Sequence, residues 1–334
     1  MNEIKKILAI NFGGIGDEIL FLPTLISLKK AYPDAKITLA LEPRSKGIKD
    51  LTDVIDDLFL IDIKFKNKYL QLLKLIFLSR KGKFDLVISS GANKFISILL
   101  FLTGIKQRYG YNTGKLSQKL LTVAVPLNKN QYAASMYHDL ISDITDIKTK
   151  LPEINVEKVQ KEPNTVLIHP GVSKLSTKLG MIKTISPVKW AKVIDLLLEK
   201  GKKVILAGGP DDRECIAQIK STINNFENSN FIDAYGQTKN LSDLAKLIAS
   251  SEKFLCSDSA PLHIAVALKT RTYVIFGPTD DKILIPQTPV INAIKADDNC
   301  ELKPCLWQKR QTTCQELSCL DILPEDIVHK VLLD

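Results

Sequence analysis

The sequence predicts an α/β protein made of two Rossmann-like domains, in each of which helices pack on a parallel β-sheet. Short apolar runs bounded by turn residues alternate with amphipathic segments along 334 residues, a length that suits two domains of about 150 residues each. The alternation restarts after a polar stretch with two prolines, Asp146 to Pro163. We therefore expect domains over residues 1–155 and 156–334, with their sheets facing across a ligand-binding cleft.

The first half opens with a predicted βαβ unit. Two short apolar runs, Ile7–Ile10 and Lys36–Leu41, are predicted as strands, and the segment from about Asp17 to Ala31 between them as a helix. A further strand, Phe84–Ile88, follows a Lys-Gly turn. This order predicts a parallel sheet.

The second half repeats this alternation of strands and helices. Packing of its last helix on the first domain is left open as an alternative. The predicted strands are Val166–His169, Lys203–Ala207, Lys253–Cys256 and Thr272–Phe276. The predicted helices are Pro187–Lys200, Leu241–Ser250 and Pro261–Leu268.

The composition is that of a globular protein, with 45% hydrophobic and 25% charged residues. No basic segment followed by an apolar stretch and a cleavage site begins the chain, so no secretory signal is expected. The longest apolar run, Phe95 to Ile105, is much shorter than the roughly 20 residues that span a bilayer. We expect a cytoplasmic protein.

The net charge of +9 is concentrated in one part of the chain. Residues 61–120 contain twelve Lys or Arg against two acids, Asp62 and Asp85, a local excess of ten positive charges. Such an excess favours an anionic partner, either an acidic substrate or the inner face of a membrane. A merely solubilising face is the alternative. Nucleic acid is not expected, because no recognition module accompanies the lysines.

A glycine-rich motif, NFGGIGDE, follows the first predicted strand and contains Gly13, Gly14, Gly16 and Asp17. It resembles a dinucleotide-binding turn, with Glu42 placed to bind a ribose, but Ile19 stands where the third glycine should be. Taken alone, Asp17 is better explained as a helix cap than as a catalytic residue. Cap, cofactor loop and catalytic carboxylate remain alternatives at this point.

A second motif, SDSAPLH, joins a predicted strand to a helix and contains Asp258, Ser259, Ala260, Pro261, Leu262 and His263. A helix start with proline in its first turn exposes backbone amides that can bind a phosphate or diphosphate, and His263 can donate to the same oxygens. A well-capped helix with a core histidine is the alternative.

Two loops of the second half add candidates for the same anion. The loop after His169-Pro170-Gly171 contains Ser173, Lys174, Lys178 and Lys183. Cations at the carboxyl end of a sheet suit a pyrophosphate, although solvated loop lysines are the ordinary explanation. Gly208 and Gly209 form a turn at another strand end, which lines a nucleotide pocket or serves only as a turn.

Four cysteines lie near the C-terminus: Cys300, Cys305, Cys314 and Cys319. Their spacing differs from that of common zinc knuckles, so free or transiently paired thiols are favoured over a structural zinc site, which stays an alternative. No G-x-S-x-G motif and no H-E-x-x-H motif is present, which argues against a serine hydrolase or a zinc protease.

Taken in order, these segments resemble glycosyltransferase family 9, the heptosyltransferase-like enzymes of bacterial lipopolysaccharide assembly. The resemblance rests on Gly16-Asp17-Glu18-Ile19-Leu20, Phe84–Ile88, His169-Pro170-Gly171, KTISPVKW from Lys183 to Trp190, Ala207–Pro210, Ser257–His263 and Phe276–Asp280. It implies a GT-B fold and inverting transfer of a sugar from a nucleotide-diphosphate donor, typically ADP-heptose, without a metal or other cofactor. It also implies an anionic lipid-linked saccharide as acceptor, bound by the first domain.

The resemblance assigns roles to individual residues. Asp17 would be the general base beside an acceptor loop of Gly13, Gly14 and Gly16. The donor diphosphate would be met by Lys183, Ser173, the turn at Gly208 and Gly209, and the segment from Asp258 to His263. Ala260 stands where the family usually has Gly, which would be strained if that position required a positive φ.

Two alternatives to this transferase remain from the sequence. One is a nucleotide-sugar-binding protein without catalytic activity. The other is a nicotinamide-dependent oxidoreductase, supported only by the glycines and Glu42.

Overall fold

A computed structural model describes residues 3–146, 151–306, 309 and 312–333 of the chain. The chain divides into two compact units, Met1–Asn155 and Val156–Asp334. Each unit contains one six-stranded sheet in which every strand pairing is parallel. The predicted α/β class with two Rossmann-like domains is therefore confirmed.

The first unit alternates strands and helices along the chain. Its strands are β1 (Lys6–Ile10), β2 (Lys36–Leu41), β3 (Asp57–Leu60), β4 (Leu86–Ser89), β5 (Gln107–Tyr111) and β6 (Val123–Val125). Its helices are α1 (Ile15–Ala31), α2 (Lys68–Gly82), α3 (Lys94–Leu102), α4 (Lys115–Leu120) and α5 (Ala133–Asp139). The sheet order is β3-β2-β1-β4-β5-β6, with β1 near the centre. Four of the five residues of β1, Ile7–Ile10, are fully buried.

The order in which strands are added reverses at β1, because β2 and β3 lie on one side of it and β4 to β6 on the other. Because parallel crossovers are right-handed, α1 lies on one face of the sheet, and α2, α3 and α4 lie on the other. Packing agrees with this arrangement: α1 contacts α5, whereas Leu75 of α2 and Leu99 of α3 share one core cluster. The loops after β1 and β4, where the order diverges, are the expected ligand-binding edge.

The second unit repeats the architecture. Its strands are β7 (Glu162–His169), β8 (Lys203–Leu206), β9 (Phe231–Asp233), β10 (Ser251–Ser257), β11 (Arg271–Ile275) and β12 (Ile291–Ile294). Its helices are α6 (Lys174–Lys178), α7 (Pro187–Glu199), α8 (Arg213–Thr222), α9 (Leu241–Ser250), α10 (Ala260–Leu268), α11 (Asp281–Leu284) and α12 (Pro324–Leu332). The order is β12-β11-β10-β7-β8-β9.

The end of the chain completes the core of the second unit. Ile327, Val328 and Val331 of α12 are buried in the cluster that also contains Val166 of β7 and Trp190 of α7. Lys253 Nζ of β10 donates to Val331 O at 2.7 Å. The last helix thus packs against α7 within its own unit, where the sequence had left packing on the first domain open.

Before α12 the chain crosses the loops at the carboxyl end of this sheet. The amides of Cys305 and Leu306 donate to Pro278 O at 2.9 and 3.1 Å. The amide and hydroxyl of Thr313 both donate to Gly180 O, at 3.0 and 2.9 Å. Cys305, Leu306 and Thr313 therefore contact two loops that are far apart in sequence.

Within the described residues, no helix combines the length and the apolar character needed to cross a bilayer. The apolar run from Phe95 to Ile105 forms the nine-residue helix α3 and the turn after it.

Candidate functional site

In the first unit, the predicted acceptor loop joins β1 to α1. Gly14 is the N-cap of α1, Gly16 lies in its first turn, and Asp17 is the third helical residue. Asp17 Oδ2 accepts from the Gly14 amide at 2.8 Å, which satisfies one of the amides that a helix start leaves open. The capping role expected for Asp17 is therefore present in the structure.

The second oxygen of Asp17 faces another element. Tyr137 of α5 lies with its hydroxyl 3.3 Å from Asp17 Oδ1, and its ring packs edge-on against Phe21 at a centroid distance of 5.8 Å. Burial and the charge of Asp17 both raise the pKa of Tyr137, so its hydroxyl stays a donor at neutral pH. Asp17 itself is only half-buried, so its carboxylate is held from two sides and still reached by solvent.

Gly13 is required by the position of Asp17. A Cβ at residue 13 would lie 2.2 Å from Asp17 Cβ and 2.6 Å from its Cγ, closer than real side chains approach. A Cβ at Gly14 would meet nothing nearer than Arg44 Nη2, at 3.7 Å. The first glycine thus makes room for the carboxylate, and the second lies beside a guanidinium.

Two buried glutamates, Glu18 and Glu42, lie near Asp17. The sequence considered Glu42 only as a ribose ligand and gave Glu18 no role. Both carboxyl oxygens of Glu18 are buried without a hydrogen-bonding partner. Burial and then the charge of Asp17 hold the pKa of Glu18 well above its usual range, with Arg44 and Lys64 acting in the opposite direction. Burial also raises the pKa of Glu42. Glu18 is the last residue of the NFGGIGDE motif, but sequence spacing does not predict that its side chain is buried.

In the second unit, Lys183 and Asp258 come together although 75 residues separate them. Lys183 Nζ lies 3.2 Å from Asp258 Oδ2, and Thr279 Oγ1 donates to the same oxygen at 2.8 Å. Both side chains of the ion pair are largely buried. The pair brings a lysine from the loop after β7 to the start of α10.

A hydroxyl network holds the Lys183 loop in place. Thr184 Oγ1 donates to Pro170 O at 2.7 Å and accepts from Ser257 Oγ at 2.7 Å and Trp190 Nε1 at 2.9 Å. Pro170 and Ser257 follow or end neighbouring strands, β7 and β10. The residue after Lys183 is thereby fixed to the carboxyl edge of the sheet.

The start of α10 has the features of an anion-binding helix. Ser259 is the N-cap in extended conformation, its hydroxyl makes no cap hydrogen bond to the helix, and proline occupies the first turn. Ala260 begins the helix and is not among the described residues with positive φ, so the glycine usual in the family is not needed here. Leu262 and His263 are buried in the first turn.

Asp212 is a buried residue near the candidate site that was not predicted from the sequence. Its Oδ2 accepts from the Gly209 amide at 2.8 Å and lies 3.6 Å from His169 Nε2. A Cβ at Gly171 would lie 1.7 Å from Asp212 Oδ1, so that position must be glycine. Burial lowers the pKa of His169, which keeps its ring neutral. Asp212 links the ends of β7 and β8, and its proximity to Gly209 in sequence was the available signal.

Ser173 has a structural role in the loop after β7. Its hydroxyl accepts from the Ser176 amide at 3.2 Å and caps the five-residue helix α6. Of the loop lysines, Lys183 is the one that the structure places beside Asp258; Lys174 and Lys178 belong to α6.

The structure describes all four C-terminal cysteines as free thiols. In the part of the chain that the structure describes, which includes all four, no group of three or more His, Cys, Asp or Glu side chains could hold a metal ion. Cys305 and Cys319 are buried, and burial raises the pKa of Cys319 to about 11. Cys305 and Cys314 also act electrostatically on Cys319, so these three thiols lie near one another. The structural zinc alternative stays a prediction.

The sequence matches the family model described as glycosyltransferase family 9 (heptosyltransferase) over residues 74–315. Among curated proteins, "Lipopolysaccharide heptosyltransferase 3" of Escherichia coli (strain K12) is 30% identical over 288 residues, which cover 82% of this chain and 83% of that protein.

Solved structures share the fold. The E. coli ADP-heptose lps heptosyltransferase II aligns with a TM-score of 0.74 at 19% identity, covering 98% of this chain and 97% of that one. E. coli heptosyltransferase WaaC, solved with ADP-2-deoxy-2-fluoro heptose, aligns with a TM-score of 0.68 at 15% identity, covering 87% and 93%. The expected GT-B fold is confirmed by these similarities together with the two parallel six-stranded sheets.

Proposed function

The chain belongs to glycosyltransferase family 9, and from this premise we propose that it transfers heptose from ADP-heptose to an anionic saccharide of the lipopolysaccharide core, with inversion at the anomeric carbon. In this proposal the first unit binds the acceptor and the second binds the donor. The relatives named as lipopolysaccharide heptosyltransferases support the substrate class, and the relative solved with an ADP-heptose analogue supports the nucleotide. The proposed setting is the cytoplasm, where the lipid-linked acceptor meets the enzyme at a membrane.

The observation that carries the proposal is the arrangement around Asp17. Its carboxylate is oriented by the Gly14 amide and the Tyr137 hydroxyl, and it remains open to solvent. We propose that Asp17 takes the proton of the acceptor hydroxyl as that oxygen attacks the anomeric carbon from the face opposite the leaving diphosphate. The C–O bond to the acceptor forms while the bond to the diphosphate breaks, and the diphosphate leaves with its electron pair.

The second unit would meet the charge that develops on the leaving diphosphate. Lys183 supplies a cation, and the start of α10 supplies the partial positive charge of a helix N-terminus, with His263 in its first turn. We assign Asp258 a positioning role, because its carboxylate already binds Lys183 and Thr279 and would repel a phosphate. These groups would do the work that a divalent cation does in other transferases, and we propose that no metal is required.

The anionic acceptor fits the charges near Asp17. Arg44 lies beside Gly14, and both Arg44 and Lys64 act electrostatically on Glu18. The raised pKa of Glu18 favours its neutral form, which limits the negative charge next to the base. Arg44 and Lys64 would therefore offer cationic partners to phosphate or carboxylate groups on the acceptor.

The test compares two neighbouring carboxyl groups on one helix turn. Asp17→Asn removes the proposed base and should lower kcat for heptose transfer about 100- to 10,000-fold, the usual contribution of general base catalysis. Glu18→Gln preserves the shape of a carboxyl that is already neutral and should leave kcat within a few-fold. ADP should bind both variants as it binds the unchanged protein. An Asp17→Asn enzyme that retains full transfer would refute the assignment of the base.

A further inference from the structure

The first unit exposes a group of large apolar side chains on one set of helices. We call it the α2–α4 surface, and its members are Phe65, Tyr69, Leu70, Leu73, Phe77, Phe95, Phe101, Leu102 and Leu116. The exposed fraction is 77% for Tyr69 and 65% for Phe77. Among the described residues of the first unit, every large hydrophobic side chain in the exposed class lies between residues 60 and 116. Contiguous exposed apolar area of this kind marks an interaction site.

Helix α2 has apolar side chains on two faces. Leu75 and Ser79 are buried against the sheet, as expected for the inner stripe of a surface helix. The opposite face should be polar, yet it carries Leu70, Leu73 and Phe77 at a spacing of three and four residues. The outward stripe therefore has the periodicity of a second contact face, for which the unit itself supplies no partner among its described residues.

The neighbouring helices extend this stripe. α2, α3 and α4 cover the same face of the sheet, and Arg80 Nε of α2 donates to Leu102 O at the end of α3 at 3.1 Å. Cations accompany the aromatic rings: Lys94 Nζ lies 5.4 Å from the Phe95 ring centroid, and the Arg108 guanidinium 5.7 Å from that of Phe101. The helices of the α2–α4 surface thus contact one another in sequence, and cations lie beside two of its aromatic rings.

The local charge is strongly positive. The same stretch, residues 61–120, contains twelve Lys or Arg against two acids. Both acids are used by backbone amides: Asp62 Oδ1 accepts from Phe65 N at 2.9 Å, and Asp85 Oδ2 accepts from Lys5 N and Lys6 N. Within the described ranges, none of the twelve cations is paired with a carboxylate. Close ion pairs therefore do not offset the positive charge of this stretch.

We propose that the α2–α4 surface docks on an anionic phospholipid bilayer, with its aromatic and leucine side chains inserted at the headgroup level and its lysines facing lipid phosphates. Protein interfaces are depleted in lysine, whereas interfacial membrane helices combine lysines with Tyr, Phe and Leu. Each cation near an anionic leaflet strengthens binding about fivefold, and each inserted apolar side chain adds to this. Docking would hold the first unit beside lipid-linked molecules.

The experiment measures co-sedimentation of the full chain with vesicles, without donor or acceptor, so it does not depend on the proposed sugar transfer. The unchanged protein should bind vesicles of phosphatidylethanolamine and phosphatidylglycerol, and bind phosphatidylcholine vesicles far more weakly. Leu70→Ser, Leu73→Ser and Phe77→Ser together should lower the partition coefficient about a hundredfold or more. Lys66→Gln, Lys68→Gln and Lys81→Gln together should lower it about a hundredfold, and high salt should mimic that loss.

The matched control places equally exposed apolar side chains of the second unit in the same assay. Val188→Ser, Leu323→Ser and Leu333→Ser together remove three exposed residues outside the α2–α4 surface and should not change vesicle binding. Circular dichroism and melting temperature verify that each variant is folded. Equal binding to neutral and anionic vesicles, or equal loss in the control variant, would overturn the proposal. The proposal would also be overturned if the unchanged protein did not bind vesicles and the variant with Leu70→Ser, Leu73→Ser and Phe77→Ser changed from dimer to monomer. The surface would then join two copies of the chain.

Discussion

At the scale of single residues, the position of the Asp17 carboxylate depends on groups that are small or neutral. Gly13 leaves the space that Asp17 occupies, and Glu18 is buried beside it with a raised pKa. The sequence motif predicted that a carboxylate would stand at the start of α1, and the resemblance supplied a role for it. The contact with Tyr137 could not be predicted, because it depends on how α5 packs on α1, 120 residues away in sequence.

The two glycines of this turn should respond differently to alanine. Gly13→Ala places a methyl group 2.2 Å from Asp17 Cβ, so the carboxylate must move, and heptose transfer should fall about 100-fold or more. Gly14→Ala meets its nearest neighbour at 3.7 Å and should keep transfer within a few-fold. Steady-state kinetics of both variants, with melting temperatures, checks this expectation. Equal losses of transfer in both variants would mean that the space left by Gly13 is not what keeps the Asp17 carboxylate in position.

The buried Glu18 should make stability depend on pH. Its pKa in the folded state is well above the ordinary value of 4.5, so its stabilising contribution is complete below that pH and is lost as the pH rises through the folded-state pKa. Glu18→Gln removes this loss, with each tenfold change in the acid constant worth about 1.4 kcal/mol. The melting temperature of the variant minus that of the parent should therefore increase from pH 5 to pH 8. A difference that stays constant over this range would show that Glu18 titrates normally.

At the scale of elements, strands and helices with strong patterns were predicted well. β1, β2 and α9 have nearly the predicted bounds, as does α7, because buried parallel strands are continuously apolar and their helices have clear caps. β3, β5, β6, β9 and β12 were missed: they are short or lie toward the sheet edges, and several of their residues are half-exposed. The Thr184 network was also beyond prediction, because it joins three segments by side-chain contacts alone.

Loss of the Thr184 hydroxyl should lower both the stability of the second unit and the apparent affinity for the donor. Thr184→Val leaves Pro170 O, Ser257 and Trp190 Nε1 without this partner, which should cost about 2–4 kcal/mol of stability and raise the KM for the donor several-fold by loosening Lys183. Thr222→Val is the control, since that hydroxyl bonds only Gln218 O on an exposed helix end. Chemical denaturation and donor saturation curves measure the two effects. Equal stability of the two variants would contradict the network's importance.

At the scale of the whole molecule, the division into two units on one plan was accessible from the sequence because the pattern repeats. The hypothesis that NFGGIGDE is a dinucleotide-binding turn shows what a single motif does not decide. The glycines of NFGGIGDE serve a turn that orients Asp17, while the candidate anion-binding features are in the second unit. The resemblance to family 9 already assigned these roles to different halves of the chain, and the structure adds the hydrogen bonds that hold the Asp17 carboxylate.

Ligand-induced stabilisation should discriminate among nucleotides. At a concentration of about 100 times its dissociation constant, ADP should stabilise the folded protein by about 2.7 kcal/mol and raise the melting temperature by roughly 5–10 °C, whereas NAD should have no effect. Lys183→Ala should lose most of the ADP effect, and Lys178→Ala, in helix α6 of the same loop, should retain it. A shift produced by NAD and not by ADP would revive the oxidoreductase hypothesis.

The packing of α12 has a consequence for synthesis of the protein on the ribosome. The first unit contains all its strands by Val125 and can fold while the rest of the chain is being made. The second unit cannot close its core before Val331 is available, because α12 packs with β7 and α7, which were translated about 130 to 170 residues earlier. A nascent chain therefore presents a folded first unit, with its cationic and apolar surface, some time before the second unit, the proposed donor-binding half, is complete.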